Sequence, residues 1–208
     1  MLPELKTDEA KAALLNLLQK KSVFHGDFTL SSGAKSNYYI DCRLTTFDPE
    51  GAWLVGQLMH SLIRKEQTAR KVNVVAVGGL TMGADPVALA VGMYSHRAKV
   101  APPWQVFSVR KAPKAHGQTK LIEGNFKKGD TVVVVDDVVT RGESTIAAIS
   151  AIEKEGGTVA FVAVLVDRQE GGREKIEVLG HPVVALFTKG ELLGDHARAP
   201  RSANRAVA

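Results

Sequence analysis

Residues 131–135 read Thr-Val-Val-Val-Val, and two aspartates, Asp136 and Asp137, follow without a break. A β-branched run with no polar position has no face to offer water, so it predicts a strand covered on both sides. Strands of that kind belong to parallel sheets, whose neighbours must be joined by crossover elements. The rest of the chain supplies them. After the aspartates comes Val138-Val139-Thr140-Arg141-Gly142, then a helical stretch over about 143–155 that Gly156-Gly157 closes. A second run, 72–77, apolar except for Asn73, is ended by Gly78-Gly79 and followed by a helical pattern over 84–94. Further strands are predicted over 105–110, 158–166 and 182–187. The alternation predicts an α/β fold, a mainly parallel twisted sheet flanked by helices.

The first 47 residues break that rhythm. Ala10, Ala13, Leu14, Leu17 and Leu18 form one stripe of an amphipathic helix over 8–20, with Thr7 as its cap and Asp8 and Glu9 in its first turn. Residues 24–40 alternate apolar and polar around Gly26 and Gly33, the pattern of short strands and turns. This part is expected to form a small N-terminal hood. A helix then begins at Asp48-Pro49, with Asp48 capping and Pro49 in the first turn, and buries Val55, Leu58, Met59, Leu62 and Ile63. The chain reads as a single domain over 1–208: helix and hood to about 47, an α/β core over about 48–194, and a basic tail, 195–208, expected to lack order.

The net charge of +5 raises the question of a nucleic-acid partner. The basic residues are scattered, however, and concentrate only at 110–120, 127–128 and 198–205. Either they form a solvated surface with a basic tail, or some line a pocket for a polyanionic small molecule; no nucleic-acid partner is expected. Cys42 is the only cysteine, so no internal disulfide forms, and it reads as a small buried hydrophobe of a protein kept reduced. No apolar run approaches the roughly 18 residues of a membrane span, and residues 1–4 open no signal peptide. A soluble, cytoplasmic protein without a membrane partner is expected.

In open α/β sheets ligands collect beyond the carboxyl ends of the strands, and 131–145 delivers its chemistry there. N–H groups at the start of a helix suit a phosphate, with the hydroxyls of Thr140, Ser144 and Thr145 as further donors. The carboxylates of Asp136 and Asp137 can accept hydrogen bonds from ribose hydroxyls or help hold a hydrated Mg²⁺. Lacking a Gly-Lys-Ser/Thr ending, the loop is not a Walker A loop. The plainer alternative is a strand that ends in Asp, with Thr140 merely capping a helix. Against it, adjacent carboxylates on a buried strand cost stability unless a partner meets them.

This segment resembles the signature of the type I phosphoribosyltransferases that binds phosphoribosyl pyrophosphate (PRPP): an apolar strand, two acidic residues, then a loop rich in Thr, Gly and Ser. The signature points to PRPP or a ribose 5-phosphate product and leaves the base open. Three further segments resemble orotate phosphoribosyltransferases. Phe28-Thr29-Leu30-Ser31-Ser32-Gly33-Ala34-Lys35-Ser36-Asn37-Tyr38-Tyr39 looks like their N-terminal element. Arg110-Lys111-Ala112-Pro113-Lys114-Ala115-His116-Gly117, continued by Lys120-Leu121-Ile122-Glu123-Gly124, looks like their mobile catalytic loop. Asp167-Arg168-Gln169-Glu170-Gly171-Gly172 looks like the strand-end turn with their orotate-binding Arg.

The resemblance implies transfer of the 5-phosphoribosyl group from PRPP to orotate, giving orotidine 5′-phosphate and pyrophosphate. That is a pentosyltransferase (glycosyltransferase) step of de novo pyrimidine (UMP) biosynthesis. It assigns catalysis to Lys114, His116, Asp136 and Asp137, and PRPP binding to these four with Arg110, Lys111, Val138, Val139, Thr140, Arg141, Gly142, Glu143 and Ser144. Orotate falls to Thr140 and Arg168. Mg²⁺ would be bound chiefly through PRPP near Asp136 and Asp137, with no direct protein ligand assigned. A homodimer is implied, its loop 110–120 reaching into the partner's site.

The residue types suit the chemistry. Negative charge grows on the departing pyrophosphate, and preorganised cations answer it. Pro113 and Gly117 discourage regular helix, which suits a loop that opens for entry and closes against water. His116 would protonate the leaving group or only hydrogen-bond to it. Arg168 offers a planar fork to a carboxylate, unless Asp167 holds it in a structural ion pair. The sequence departs from several family members at Ser31, where they place Lys, and at Thr81-Met82, where they place Tyr-Lys; Lys35 lies nearby but on another family position. Two rival readings keep the 136–145 loop. A purine phosphoribosyltransferase has no need of the segment from Arg110 to His116 or of Arg168, and a non-catalytic PRPP-sensing regulator would show a nucleic-acid surface.

Overall fold

A computed structural model describes residues 5–29, 33, 35–99, 102–112 and 120–194. The N-terminal part contains α1 (Thr7–Lys21), β1 (Val23–Thr29), β2 (Lys35–Ile40) and α2 (Arg43–Thr46). The remainder runs α3 (Pro49–Arg70), β3 (Ala76–Leu80), α4 (Ala84–Arg97), β4 (Gln105–Val109), β5 (Ile122–Gly124), β6 (Thr131–Val139), α5 (Glu143–Lys154), β7 (Thr158–Asp167), α6 (Gly172–Val178), β8 (Val183–Thr188) and α7 (Lys189–Leu193). The strands from β3 onward form one sheet in the order β5-β4-β3-β6-β7-β8, parallel except for the β4–β5 pair. As predicted, the fold is a mainly parallel sheet flanked by helices. β1 and β2 pair antiparallel as a separate two-stranded sheet, the expected hood.

The sheet is covered on both faces because its central strands are apolar on both. On β6, Val133 and Val135 belong to the core that includes α1, α3 and α4, whereas Val132 and Val134 belong to the one that includes α5 and α6, and all four are fully buried. Burying such a side chain contributes roughly 1.5 kcal/mol or more, so this strand is pinned at the centre of the fold. α3 starts as its sequence predicts: the Asp48 carboxylate accepts from the N–H groups of Glu50 and Gly51, both at 3.0 Å. Lys21 pairs with the same Asp48, tying the end of α1 to the start of α3. After β3 the chain places β4 on one side and β6 on the other, so the crevice between β3 and β6 is the switch point at which ligands bind in such sheets.

Several sequence expectations need correction. β3 begins at Ala76, not at residue 72, and runs through Gly78-Gly79 instead of stopping there. The glycines serve close approach, since a Cβ on Gly78 would lie 2.3 Å from the Phe107 carbonyl oxygen and one on Gly79 2.1 Å from that of Val135. β6 likewise continues through Asp136 and Asp137 to Val139, because β7 pairs with it along that length. α1 starts at Thr7 with Lys6 in the cap position and no side-chain cap bond, so Thr7 is the first helical residue, not the cap. The short elements α2, β5, α6 and α7 were not anticipated; runs of three to seven residues are too brief to carry a period. No helix of the described residues is long and apolar enough to cross a membrane. The tail, 195–208, lies outside the described residues.

Candidate active site

The carboxyl ends of β3, β4, β6 and β7 lie along one edge of the sheet, with Asp136 and Asp137 towards the end of β6 and Arg110 and Arg168 directly after β4 and β7. Asp136 and Asp137 are each only 6% exposed. Asp136 Oδ2 accepts from the Thr145 hydroxyl at 2.9 Å and its Oδ1 from the Asp137 N–H at 3.0 Å; Asp137 Oδ1 accepts from the Val138 N–H at 2.9 Å. Thr145 therefore positions a carboxylate, where its hydroxyl had been expected to serve a phosphate. Burial pushes the Asp136 carboxyl well above its ordinary 3.8, and the neighbouring Asp137 charge adds to this; burial raises Asp137 too. Both carboxylates converge on Gly83, where α4 begins: a Cβ there would sit 2.4 Å from Asp137 Oδ1 and 3.2 Å from Asp136 Oδ1. Only glycine leaves this crevice between β3 and β6 open.

The loop 140–142 turns from β6 into α5 with Gly142 in the cap position and no side-chain cap bond, so Thr140 does not cap the helix. Arg141, Glu143 and Ser144 are exposed, with the first N–H groups of α5 beside them. The loop is stitched to the next strand's turn: the Arg168 N–H donates to the Val139 carbonyl at 3.0 Å and the Gly172 N–H to the Thr140 carbonyl at 2.9 Å. Phosphate-type loop and Arg168 turn are thus built as one unit.

Arg168 is 7% exposed. The ion pair with Asp167 that the sequence left open is not formed. Asp167 Oδ1 accepts from the Gln169 N–H at 2.7 Å, and Arg168 instead meets Glu170 Oε1 through Nε at 3.1 Å and Nη2 at 2.8 Å. Its guanidinium carbon stands 5.6 Å from the centre of the Tyr38 ring on β2, so the hood covers this side of the edge.

Arg110 and Lys111 leave β4 at the same edge, and Arg110 pairs loosely with Glu123 at 3.7 Å. They line an open cleft of about 570 Å³ with Leu80, Leu121 and the Glu143, Ser144, Ala147, Ser150, Ala151 and Lys154 face of α5. The cleft borders the phosphate-type loop but does not reach Asp136, Asp137 or Arg168. Lys114, His116 and Ser31 lie outside the described residues. The uncharged segment with Thr81 and Met82 is held by Asp85, which accepts the Thr81 hydroxyl at one oxygen and the Ser108 hydroxyl at the other, both at 2.6 Å. Lys35 does not approach the carboxylates: its Nζ donates to the Thr29 hydroxyl at 2.7 Å within the hood. Cys42 is fully buried and its thiol is pushed well up, chiefly by burial, as its reading as a hydrophobe requires.

Sequence reasoning missed Glu170, Gly83 and Arg43. Arg43 binds Asp41 through Nε and Nη2, both at 2.8 Å, and holds that carboxyl below its ordinary 3.8; its charge also acts on Asp137. The one available signal was the Asp41-Cys42-Arg43 spacing directly after an alternating segment.

The family model of the phosphoribosyl transferase domain matches residues 54–181. An orotate phosphoribosyltransferase of Aquifex aeolicus is 44% identical over 183 residues, covering 86% of this chain and 96% of the relative. Among solved structures, Mycobacterium tuberculosis orotate phosphoribosyltransferase in complex with Fe(III) dicitrate superposes with a TM-score of 0.75 at 39% identity, covering 88% of this chain and 98% of that one. Another structure of the M. tuberculosis protein, in complex with 5-phospho-alpha-D-ribosyl 1-diphosphate (PRPP), superposes with a TM-score of 0.70 at 32% identity, covering 88% and 92%.

Proposed function

This chain belongs to the orotate phosphoribosyltransferases of the phosphoribosyl transferase domain family, and from that premise we propose how its residues carry the reaction. It is a pentosyltransferase that moves the 5-phosphoribosyl group of PRPP to orotate, yielding orotidine 5′-phosphate and pyrophosphate for pyrimidine nucleotide synthesis. The observation that supports the residue assignment most strongly is the adjacency of three features at one sheet edge. These are the buried carboxylates, the 140–144 loop stitched to the Arg168 turn, and the Gly83 crevice.

The 5′-phosphate is held by the N–H groups at the start of α5 with the Thr140 and Ser144 hydroxyls. Asp136 and Asp137 accept from the ribose hydroxyls, and Arg168 with Thr140 holds the orotate. The base then attacks C1 as the bond to pyrophosphate breaks through an oxocarbenium-like state, with no covalent intermediate on the protein. Arg110, Lys111, Lys114 and His116 gather on the departing pyrophosphate and exclude water. No group of three or more His, Cys, Asp or Glu among the described residues is arranged to hold an ion. The hard oxygens of Asp136 and Asp137 fit a Mg²⁺ that takes most of its ligands from the diphosphate and water, where it would offset diphosphate charge. The active unit is a cytoplasmic homodimer that shares the 110–120 loop between subunits, a reading supported by the family resemblance of that loop.

Arg168→Lys tests the base site. It is expected to raise the Michaelis constant for orotate by about tenfold or more, since a directed bond to a charged group is worth about 1.5–3 kcal/mol. The constant for PRPP should stay within about twofold, as Lys keeps the charge and the fold. Equal effects on both substrates would contradict the assignment.

A further inference from the structure

Reading Arg168 as the orotate-binding residue leaves open what aims it. An arginine side chain has several freely turning bonds, and a nearly buried guanidinium needs a counter-charge. Both needs are met by one atom. Glu170 Oε1 accepts from Arg168 Nε at 3.1 Å and Nη2 at 2.8 Å, and from the Tyr38 hydroxyl at 3.2 Å. Tyr38 belongs to β2 of the hood, and its ring centre also stands 6.0 Å from Lys189 Nζ at the start of α7. The Glu170 side chain is 30% exposed and that of Arg168 9%, so the acid lies on the solvent side of the pair and the guanidinium on the protein side.

We propose that Glu170 is a positioning residue for orotate. By occupying the Nε–Nη2 edge of a planar guanidinium it fixes the direction of the remaining N–H groups, which are left for the substrate. Through Tyr38 the same oxygen fixes the hood beside the base site, so base binding and hood placement depend on one carboxylate. This rests on the reading of Arg168 above. It differs from a bare neutralising role, in which Glu170 would compete with the substrate carboxylate and its removal would tighten orotate binding.

Glu170→Ala, Glu170→Gln, Tyr38→Phe and Arg168→Lys, each assayed for both Michaelis constants, turnover and melting temperature, separate these possibilities. Glu170→Ala is expected to raise the constant for orotate about tenfold with that for PRPP within about twofold. Glu170→Gln, which keeps an acceptor oxygen in place, is expected to recover most of that loss. Tyr38→Phe should cost about threefold on orotate alone, a modest loss because the bond is long, at 3.2 Å, and acts on the base only through Glu170. It should add nothing on top of Glu170→Ala because both act through one atom. An unchanged or lowered orotate constant in Glu170→Ala, while Arg168→Lys raises it, overturns the role of Glu170 and leaves Arg168 standing. An unchanged constant in Arg168→Lys itself removes the base-site reading on which the role depends. If Glu170→Ala does not fold, Tyr38→Phe decides: an orotate constant equal to wild type overturns the proposal.

Discussion

Replacing Asp136 and Asp137 together by Asn should lower turnover by about a hundredfold or more, the scale seen when groups that hold a reacting substrate are removed. The protein should remain folded and melt higher at neutral pH. Both side chains are 6% exposed, and burial raises both carboxyls above their ordinary 3.8. The folded state thus holds these protons more tightly than the unfolded chain. Stability is full below the unfolded value, falls as pH rises from there through the raised folded values, and stays reduced above them. At neutral pH the carboxylates are therefore a standing cost, which the neutral amides remove. Asn at 137 still accepts from the Val138 N–H. Asn at 136 keeps its one oxygen for the backbone N–H of residue 137 and turns its NH2 to the Thr145 hydroxyl, which can accept in place of donating. Relief of about 1 kcal/mol would appear as a melting temperature about 2–4 °C higher for a chain of this size. Full activity in a stably folded double variant would mean that the PRPP site lies elsewhere.

Lys114→Ala is expected to reduce turnover by about 10²–10³-fold while PRPP binding changes little. Charge on the departing pyrophosphate is greatest in the transition state, so the lost interaction belongs there and not to the ground state. If subunits share their loops, co-expressing Lys114→Ala with the Asp136→Asn/Asp137→Asn chain should restore part of the activity. Each heterodimer then has one site with a wild-type loop from one chain and wild-type carboxylates from the other. No recovery in proven heterodimers would rule out sharing, and unaltered turnover of Lys114→Ala alone would remove the loop from the mechanism.

Much of the architecture was legible because its signals are local. The β-branched run of β6 announced a strand covered on both faces, and Asp48-Pro49 marked the start of α3 to the residue. Where reading failed, local signals had a non-local cause. Gly78-Gly79 looked like a turn and is strand, since its purpose is contact with Phe107 and Val135 on neighbouring strands. The carboxylates were expected at the strand's end and lie within it, because pairing with β7 carries β6 on to Val139. Within the site, the Asp pair and the glycine-containing loop were readable from composition and order alone. The partner of Arg168 was not: Asp167 was the obvious neighbour, yet Glu170 holds the guanidinium, and its link to Tyr38 spans 132 residues. Gly83 was equally hidden, as its value appears only once α4 and β6 are side by side.

The most direct measurement is the loss of orotate absorbance when PRPP and Mg²⁺ are added to the protein, with uracil, adenine and hypoxanthine assayed in parallel. Orotate should be consumed, with pyrophosphate released in equal amount, and the other bases left untouched. Consumption of adenine or hypoxanthine with orotate unchanged would contradict the assignment of the base, and PRPP binding without consumption of any base would contradict catalysis itself.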